Sequence, residues 1–290
     1  MKIGITSYSL SNALRDGRLA PLDAITWAAK HGAECFELSP GNTFPIYDDG
    51  MPEKCVARAR EEGIMLSSYT VGASFIKETA EERAAEVVRV KREVDIAARL
   101  GVGRMRFDVG WRNPEQATLE NFEKDLPPAA ECCREIADYA HQFGIVTTVE
   151  NHGFHFQGAE RIQRLIYAVG RPYYRTTLDV ANFSCVDEDN LASVRMNIGL
   201  AAMIHLKDLF RRPCGNPPVG GGWFRTKGGN YLRGTIIGDG SLDLRSICKV
   251  IRESGYDGCV SVEFEGMEDC FVGTEMGLKN AFKLLKDKEL

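Results

Sequence analysis

Thr147-Thr148-Val149-Glu150 is a short β-branched run that ends on a carboxylate, and its reading decides the fold. Three further stretches repeat the pattern: Thr176-Thr177-Leu178-Asp179, Ala202-Met203-Ile204-His205 and Ser261-Val262-Glu263. Brief apolar or β-branched runs between helix-like segments are the pattern of parallel strands covered on both faces. An ionisable group at the end of such a strand is costly to bury unless it is paired or bound to a cation. Two Glu, one Asp and one His form a donor set suited to a single divalent cation with open coordination positions.

Working outward, strand and helix patterns alternate along the chain. Strands are expected at 2–6, 35–38, 65–69, 104–107, 145–150, 174–179, 202–205 and 259–263, and helices at 22–31, 52–62, 80–100, 127–143, 159–169, 191–198, 242–253 and 272–286. Pro21 suits a first helical turn, and Gly63, Gly101, Gly144, Gly170 and Gly255 stand where helices should stop. Eight strand–helix units in 290 residues predict an α/β fold of the (β/α)8 TIM-barrel type, closed by right-handed crossovers, as one domain over 1–290. A doubly wound sheet would want a glycine-rich phosphate turn. The nearest approach is Gly101-Val102-Gly103, with Arg106 where the third glycine belongs. Residues 207–241, holding Arg211, Arg212, Gly220-Gly221-Gly222 and Trp223, are expected as an irregular lid over the mouth of the barrel.

Composition narrows the function. With 44% hydrophobic residues the chain can bury a large core, and its net charge of −5 argues against nucleic acid, whose binding rests on neutralising phosphates. No apolar run approaches the length that spans a bilayer. The nine Cys form no CxxC pair and are expected as small core hydrophobes in a reducing compartment. No apolar leader precedes the first strand, so the expected location is cytoplasmic. A homo-oligomer is left open.

In a barrel the C-terminal strand ends meet at one mouth. Glu150, Asp179, His205 and Glu263 would come from strands five to eight and hold one ion. Oxygen-rich ligation with one imidazole suits Mn²⁺ or Mg²⁺ better than a closed structural zinc site, with Zn²⁺ or Co²⁺ as alternatives. Such an ion can chelate the carbonyl and hydroxyl of a sugar and stabilise the enediolate left when a C–H proton departs. Glu150 and Glu263, the outer two of the four, are the expected acid/base pair. Period-two alternation sets His152, Lys207 and Glu265 on the same faces as these ligands. Substrate contacts are expected from His152, Asn182, Lys207, Arg211 and Trp111. Each has a plainer explanation: a surface cap for His152, a turn cap for Asn182, a pair with Glu265 for Lys207, solvation for Arg211 and rim packing for Trp111. Phe154 and Trp223 would complete the apolar walls, while Tyr8, Glu37, Tyr69 and Asp108 lie near the same mouth. His31 and His141 fall on helices and are expected to face solvent.

Several of these stretches carry a resemblance. Glu150-Asn151-His152-Gly153, Leu178-Asp179-Val180-Ala181-Asn182-Phe183, His205-Leu206-Lys207-Asp208, Gly238-Asp239-Gly240, and Gly255-Tyr256-Asp257-Gly258 followed by Val262-Glu263-Phe264-Glu265-Gly266 resemble the xylose isomerase-like TIM-barrel superfamily, closest to its sugar phosphate isomerase/epimerase branch. The resemblance implies a divalent cation, often Mn²⁺, on Glu150, Asp179, His205 and Glu263, with Glu150 and Glu263 as the acid/base groups of the ketose 3-epimerases. Those epimerases carry a His three positions after the ligand Asp, where this chain has Asn182. The superfamily also contains dehydratases and lyases of keto-sugars and keto-inositols, and endonuclease-IV-like enzymes. The expected function is therefore a metal-dependent isomerase or epimerase acting on a small carbohydrate or polyol. The runner-up is a dehydratase or lyase at the same site. A three-zinc endonuclease would want more strand-end His and a basic face, and the full ligand set argues against a sugar binder without turnover.

Overall fold

The computed structural model describes residues 1–287. Its strands are β1 (Lys2–Thr6), β2 (Cys35–Leu38), β3 (Met65–Val71), β4 (Arg104–Phe107), β5 (Val146–Glu150), β6 (Tyr174–Asp179), β7 (Ala201–Leu206), β8 (Asp208–Arg212), β9 (Phe224–Arg225), β10 (Tyr231–Thr235) and β11 (Cys259–Val262). Eight of them close into a parallel barrel in the order β1-β11-β7-β6-β5-β4-β3-β2, the (β/α)8 architecture expected. Residues 288–290, the end of the expected 1–290 domain, lie outside the described residues.

Alternation along the strands explains why they do not look amphipathic. Ile3, Ile5, Phe36, Phe107, Val149, Ile204 and Val260 belong to the main apolar core. The alternate positions carry Glu37, Arg106, Thr148, Glu150, Thr177, Asp179, His205 and Ser261, all buried. The hydroxyls of Thr148 and Thr177 meet at 2.7 Å between neighbouring strands. Both faces are buried, but one is polar and must be satisfied by its own hydrogen bonds.

The helices are α1 (Ser11–Arg15), α2 (Pro21–Lys30), α3 (Met51–Glu61), α4 (Ala80–Arg99), α5 (Leu119–His141), α6 (Ala159–Val169), α7 (Asn190–Asn197), α8 (Leu244–Glu253) and α9 (Cys270–Lys286). In α6, Ile162, Leu165, Ile166 and Val169 are buried at helical spacing, and Gly170 at φ 64° ends the helix. No helix among the described residues is long and apolar enough to cross a membrane.

Three expectations are corrected. The lid is not irregular: β8, β10 and β9 form a three-stranded antiparallel sheet, here called the flap. Its register rests on cross-strand partners far apart in sequence, such as Arg233 opposite Phe210. Helix α5 begins at Leu119 instead of 127, with Pro127 and Pro128 inside it. The prolines withhold two helical N–H groups. The turns before them are held by the Thr118 cap, the buried Phe122, and Asp125, which binds Arg112 and His155. Of the nine cysteines, eight are buried and free as expected, but Cys214 on the flap is exposed. His31 and His141 stack on Trp27 and Tyr173, with centroids 3.9 and 4.0 Å apart.

Candidate metal centre

Glu150 ends β5, Asp179 ends β6, His205 lies near the end of β7, and Glu263 follows β11. One ligand atom from each lies within 4.8 Å of all the others. The first three residues are 5%, 0% and 1% exposed, so the cluster sits below the surface of the mouth.

Each side chain is aimed by the chain around it. Asn151 brackets the Asp179 backbone, accepting from its N–H and donating to its carbonyl, both at 2.9 Å. Asp179 Oδ1 accepts from the N–H groups of Ala181 and Asn182 at 2.8 and 2.7 Å. That leaves Asp179 Oδ2 buried with no hydrogen bond. Lys207 Nζ approaches it at 3.2 Å, a charge contact without hydrogen-bond geometry. His205 Nε2 meets Glu37 at 2.9 Å, and Glu37 also accepts from Thr70 at 2.5 Å. With Nε2 turned to Glu37, Nδ1 faces the cluster and is buried without a hydrogen bond, and in the neutral ring it would offer its lone pair to a cation. Two orphaned acceptors turned toward two carboxylates are what a divalent cation would satisfy, so the donor set fits one.

The charges are strongly coupled. Burial pushes the Glu150 carboxyl up, but Arg106 at 2.8 Å and His205 outweigh it and hold it well below the usual range. For Glu263 burial wins over Lys207 and His205, and the group is pushed up to about 7. Burial lowers the imidazole of His205, yet Glu37, Glu150 and Glu263 carry it well above its ordinary value. Lys207 sits 3.0 Å from Glu263 and 3.1 Å from Glu265, so it both pairs with Glu265, as its plainer explanation had it, and reaches the ligand set.

Beside the cluster lies a cavity of about 220 Å³, lined by Trp111, His152, Phe154, Asn182, Lys207 and Glu265, with Phe224 from the flap. Asn182 Nδ2 donates to Glu150 at 3.0 Å, and His152 Nδ1 is 3.4 Å from Asp108. Four of the five expected substrate residues are thus brought together. Arg211 is not: it turns to Asp187 at 3.7 Å and lines a neighbouring cavity with Ser184, Glu188 and Ser241. The expected apolar wall is also shifted by one residue. Trp223 lies on the outer side of the flap between Arg212 and Arg233, at 5.3 and 5.0 Å, and Phe224 faces the cavity. A strand's period of two makes one position the difference between inside and outside. A Cβ at Gly234 would lie 2.4 Å from the Glu265 carbonyl, so only glycine lets the flap press this close to Glu265.

One residue of the centre escaped the sequence reading, and so did the partner of another. Arg106 entered it only as a misplaced glycine, yet it binds Asp108 at 2.6 Å as well as Glu150, with its Nε buried and unpaired. Its alternation in Arg104-Met105-Arg106-Phe107 was the available signal. Glu37 was placed near the mouth without its partnership with His205.

Fold and site together define a class, a closed (β/α)8 barrel with a cation-suited acidic centre at its strand ends. The family described as xylose isomerase-like TIM barrel matches residues 25–288, and the chain belongs to it. A putative L-ribulose-5-phosphate 3-epimerase of Escherichia coli (strain K12) is 22% identical over 216 residues, 74% of this chain. The match spans 66% of that relative's length, just under two thirds. Among solved structures, the IolI protein with a bound zinc atom superposes with a TM-score of 0.77 at 19% identity, covering 99% of this chain and 98% of that one. The probable 3-DHS dehydratase AsbF of Bacillus anthracis superposes at 0.75 with 14% identity, over 97% and 98%. At these identities the likeness is one of fold.

Proposed function

We propose that this chain is a divalent-metal-dependent isomerase or epimerase acting on a small sugar or polyol, by removing a proton from the carbon next to a carbonyl. The observation that carries this reading is the pair of buried, unbonded acceptors, Asp179 Oδ2 and His205 Nδ1, gathered with Glu150 and Glu263 at one point. These four side chains would hold the cation. Mn²⁺ is the first choice for such a set, and Mg²⁺, Co²⁺ or Zn²⁺ can also use it. When bound, such a cation polarises a carbonyl and stabilises the negative charge left by proton loss. Glu150 and Glu263 would serve as the two proton-transfer groups, one taking the C–H proton and the other returning it from the opposite side. Arg106 and Asn182 orient Glu150, and Lys207 orients Glu263. His152, Asn182 and Lys207 would meet substrate hydroxyls, with Trp111 as an apolar wall. Arg211, turned to Asp187, is the one expected substrate residue this reading leaves out. Free, mostly buried thiols fit a reducing cytoplasmic compartment.

A second reading, dehydratase or lyase action on a keto-sugar or keto-inositol, is supported by the likeness to the probable dehydratase AsbF. It starts with the same proton removal and ends with loss of a hydroxyl as water.

The test is elemental analysis of the purified protein, followed by a panel of ketoses and keto-inositols in D₂O. The expected result is near one equivalent of a divalent metal, and deuterium uptake next to the carbonyl that stops on chelation. No uptake with any compound under any of the four metals would sink the proposal. Loss of water from the substrate would select the second reading.

A further inference from the structure

Resting on the function just proposed, we infer that the substrate is an uncharged polyhydroxy carbonyl compound and that sugar phosphates are excluded, because the described residues themselves fill the seats a phosphate would use around strands seven and eight of the barrel. A phosphate monoester brings a charge of about −1.5 to −2, and burying it needs spare cations or unpaired backbone N–H groups.

Among the described residues, the lysine and arginines at the mouth are already engaged. Lys207 is shared among Asp179, Glu263 and Glu265. Arg106 is shared between Asp108 and Glu150. Arg89, on the rim, is committed to Glu86 and Glu93. Six carboxyl groups, those of Glu37, Asp108, Glu150, Asp179, Glu263 and Glu265, stand at the mouth against the two cations Arg106 and Lys207.

The backbone seats are filled too. In a TIM barrel the loops after strands seven and eight are the usual phosphate cradle. Here Asp208, two residues past β7, takes that position: its Oδ2 accepts from Gly238 and Gly240 at 3.0 and 2.9 Å, and its Oδ1 from its neighbour Leu209 at 2.9 Å. A Cβ at Gly240 would lie 2.1 Å from Asp208 Oδ1, so the loop is closed around this carboxylate. The starts of the four helices in this half of the chain are occupied in the same way: α6 by Glu188, α7 by Asp189, α8 by Asp243 and α9 by Asp269.

Of the flap's arginines only Arg211 is on the inner face, opposite Leu232, and it turns to Asp187 at 3.7 Å in a neighbouring cavity lined by Glu188 and Asp189. Arg212, Arg225 and Arg233 share the outer face with Phe210 and Tyr231, opposite to Leu209, Leu232 and Phe224. What the cavity offers instead is Asn182, His152 and Glu265, groups that exchange hydrogen bonds with neutral hydroxyls. In this respect the chain departs from the relative whose name specifies a 5-phosphate.

The experiment uses the full-length, metal-loaded protein and matched pairs, each a neutral ketose or keto-inositol and its terminal phosphate ester, read by deuterium uptake from D₂O. The expected result is a preference of at least about a hundredfold in kcat/KM for the neutral member, as burying an uncompensated like charge demands. Uptake by a phosphate ester within tenfold of its neutral partner would overturn the inference while leaving the proposed function standing. Absence of uptake with every pair would take both down together.

Discussion

The two halves of the barrel mouth do different work. β5, β6, β7 and the residue that follows β11 supply all four converging ligand atoms, and β1 to β4 supply none. The first half gives Glu37, which turns the His205 imidazole, and Arg106, which holds Glu150 ionised. One half would bind the ion and the other sets tautomer, orientation and charge, as the outer partners of metal ligands do. A buried polar centre therefore needs the whole ring, although its chemistry sits on one side.

The largest expected effect is on the binding half. Glu150→Gln should lower deuterium exchange by about 10³-fold or more, with an unchanged circular dichroism spectrum. Exchange at the normal rate would remove Glu150 from the proton transfer. On the supporting half, Arg106→Gln leaves the buried Glu150 and the half-buried Asp108 without their partner and should cost about 3 kcal/mol in denaturant unfolding. A loss below about 0.5 kcal/mol would show that water already screens this pair. Glu37→Gln keeps the shape but weakens the hold on His205, and should reduce metal affinity by about 10- to 100-fold in a chelator competition. If it matches the loss in Asp179→Asn, the division between halves fails. The smallest effect belongs to the flap: Arg211→Ala should change KM less than about threefold, because its side chain turns to Asp187. A much larger change would place Arg211 at the substrate after all.

The contrast also marks what could be read from the chain. Strand ends at Glu150, Asp179, His205 and Glu263 were legible, because an ionisable group closing an apolar run has few structural reasons to be there. Helix ends were legible at Gly144 and Gly170, which take φ of 72° and 64°. The flap was not. Its strands pair Tyr231 with both Arg212 and Arg225, and the glycines and prolines between them hid the alternation. The start of α5 was missed because Pro127-Pro128 looks like a boundary, while burial of Phe122 and the Asp125 ion pairs extends the helix before it.

By itself the sequence determined the alternation of strands and helices, and with it the closed parallel barrel and the mouth where its ligands collect. These follow from local periodicity and from the cost of ending a buried strand on a charge. Only the tertiary structure decided which groups are paired: that Glu37 takes His205 Nε2, that Arg106 bridges Asp108 and Glu150, that Asp208 fills the Gly238–Gly240 loop, and that Phe224 rather than Trp223 faces the cavity. Those choices depend on partners brought together by barrel closure, and a buried charge takes its state from whatever lies a few ångströms away in space.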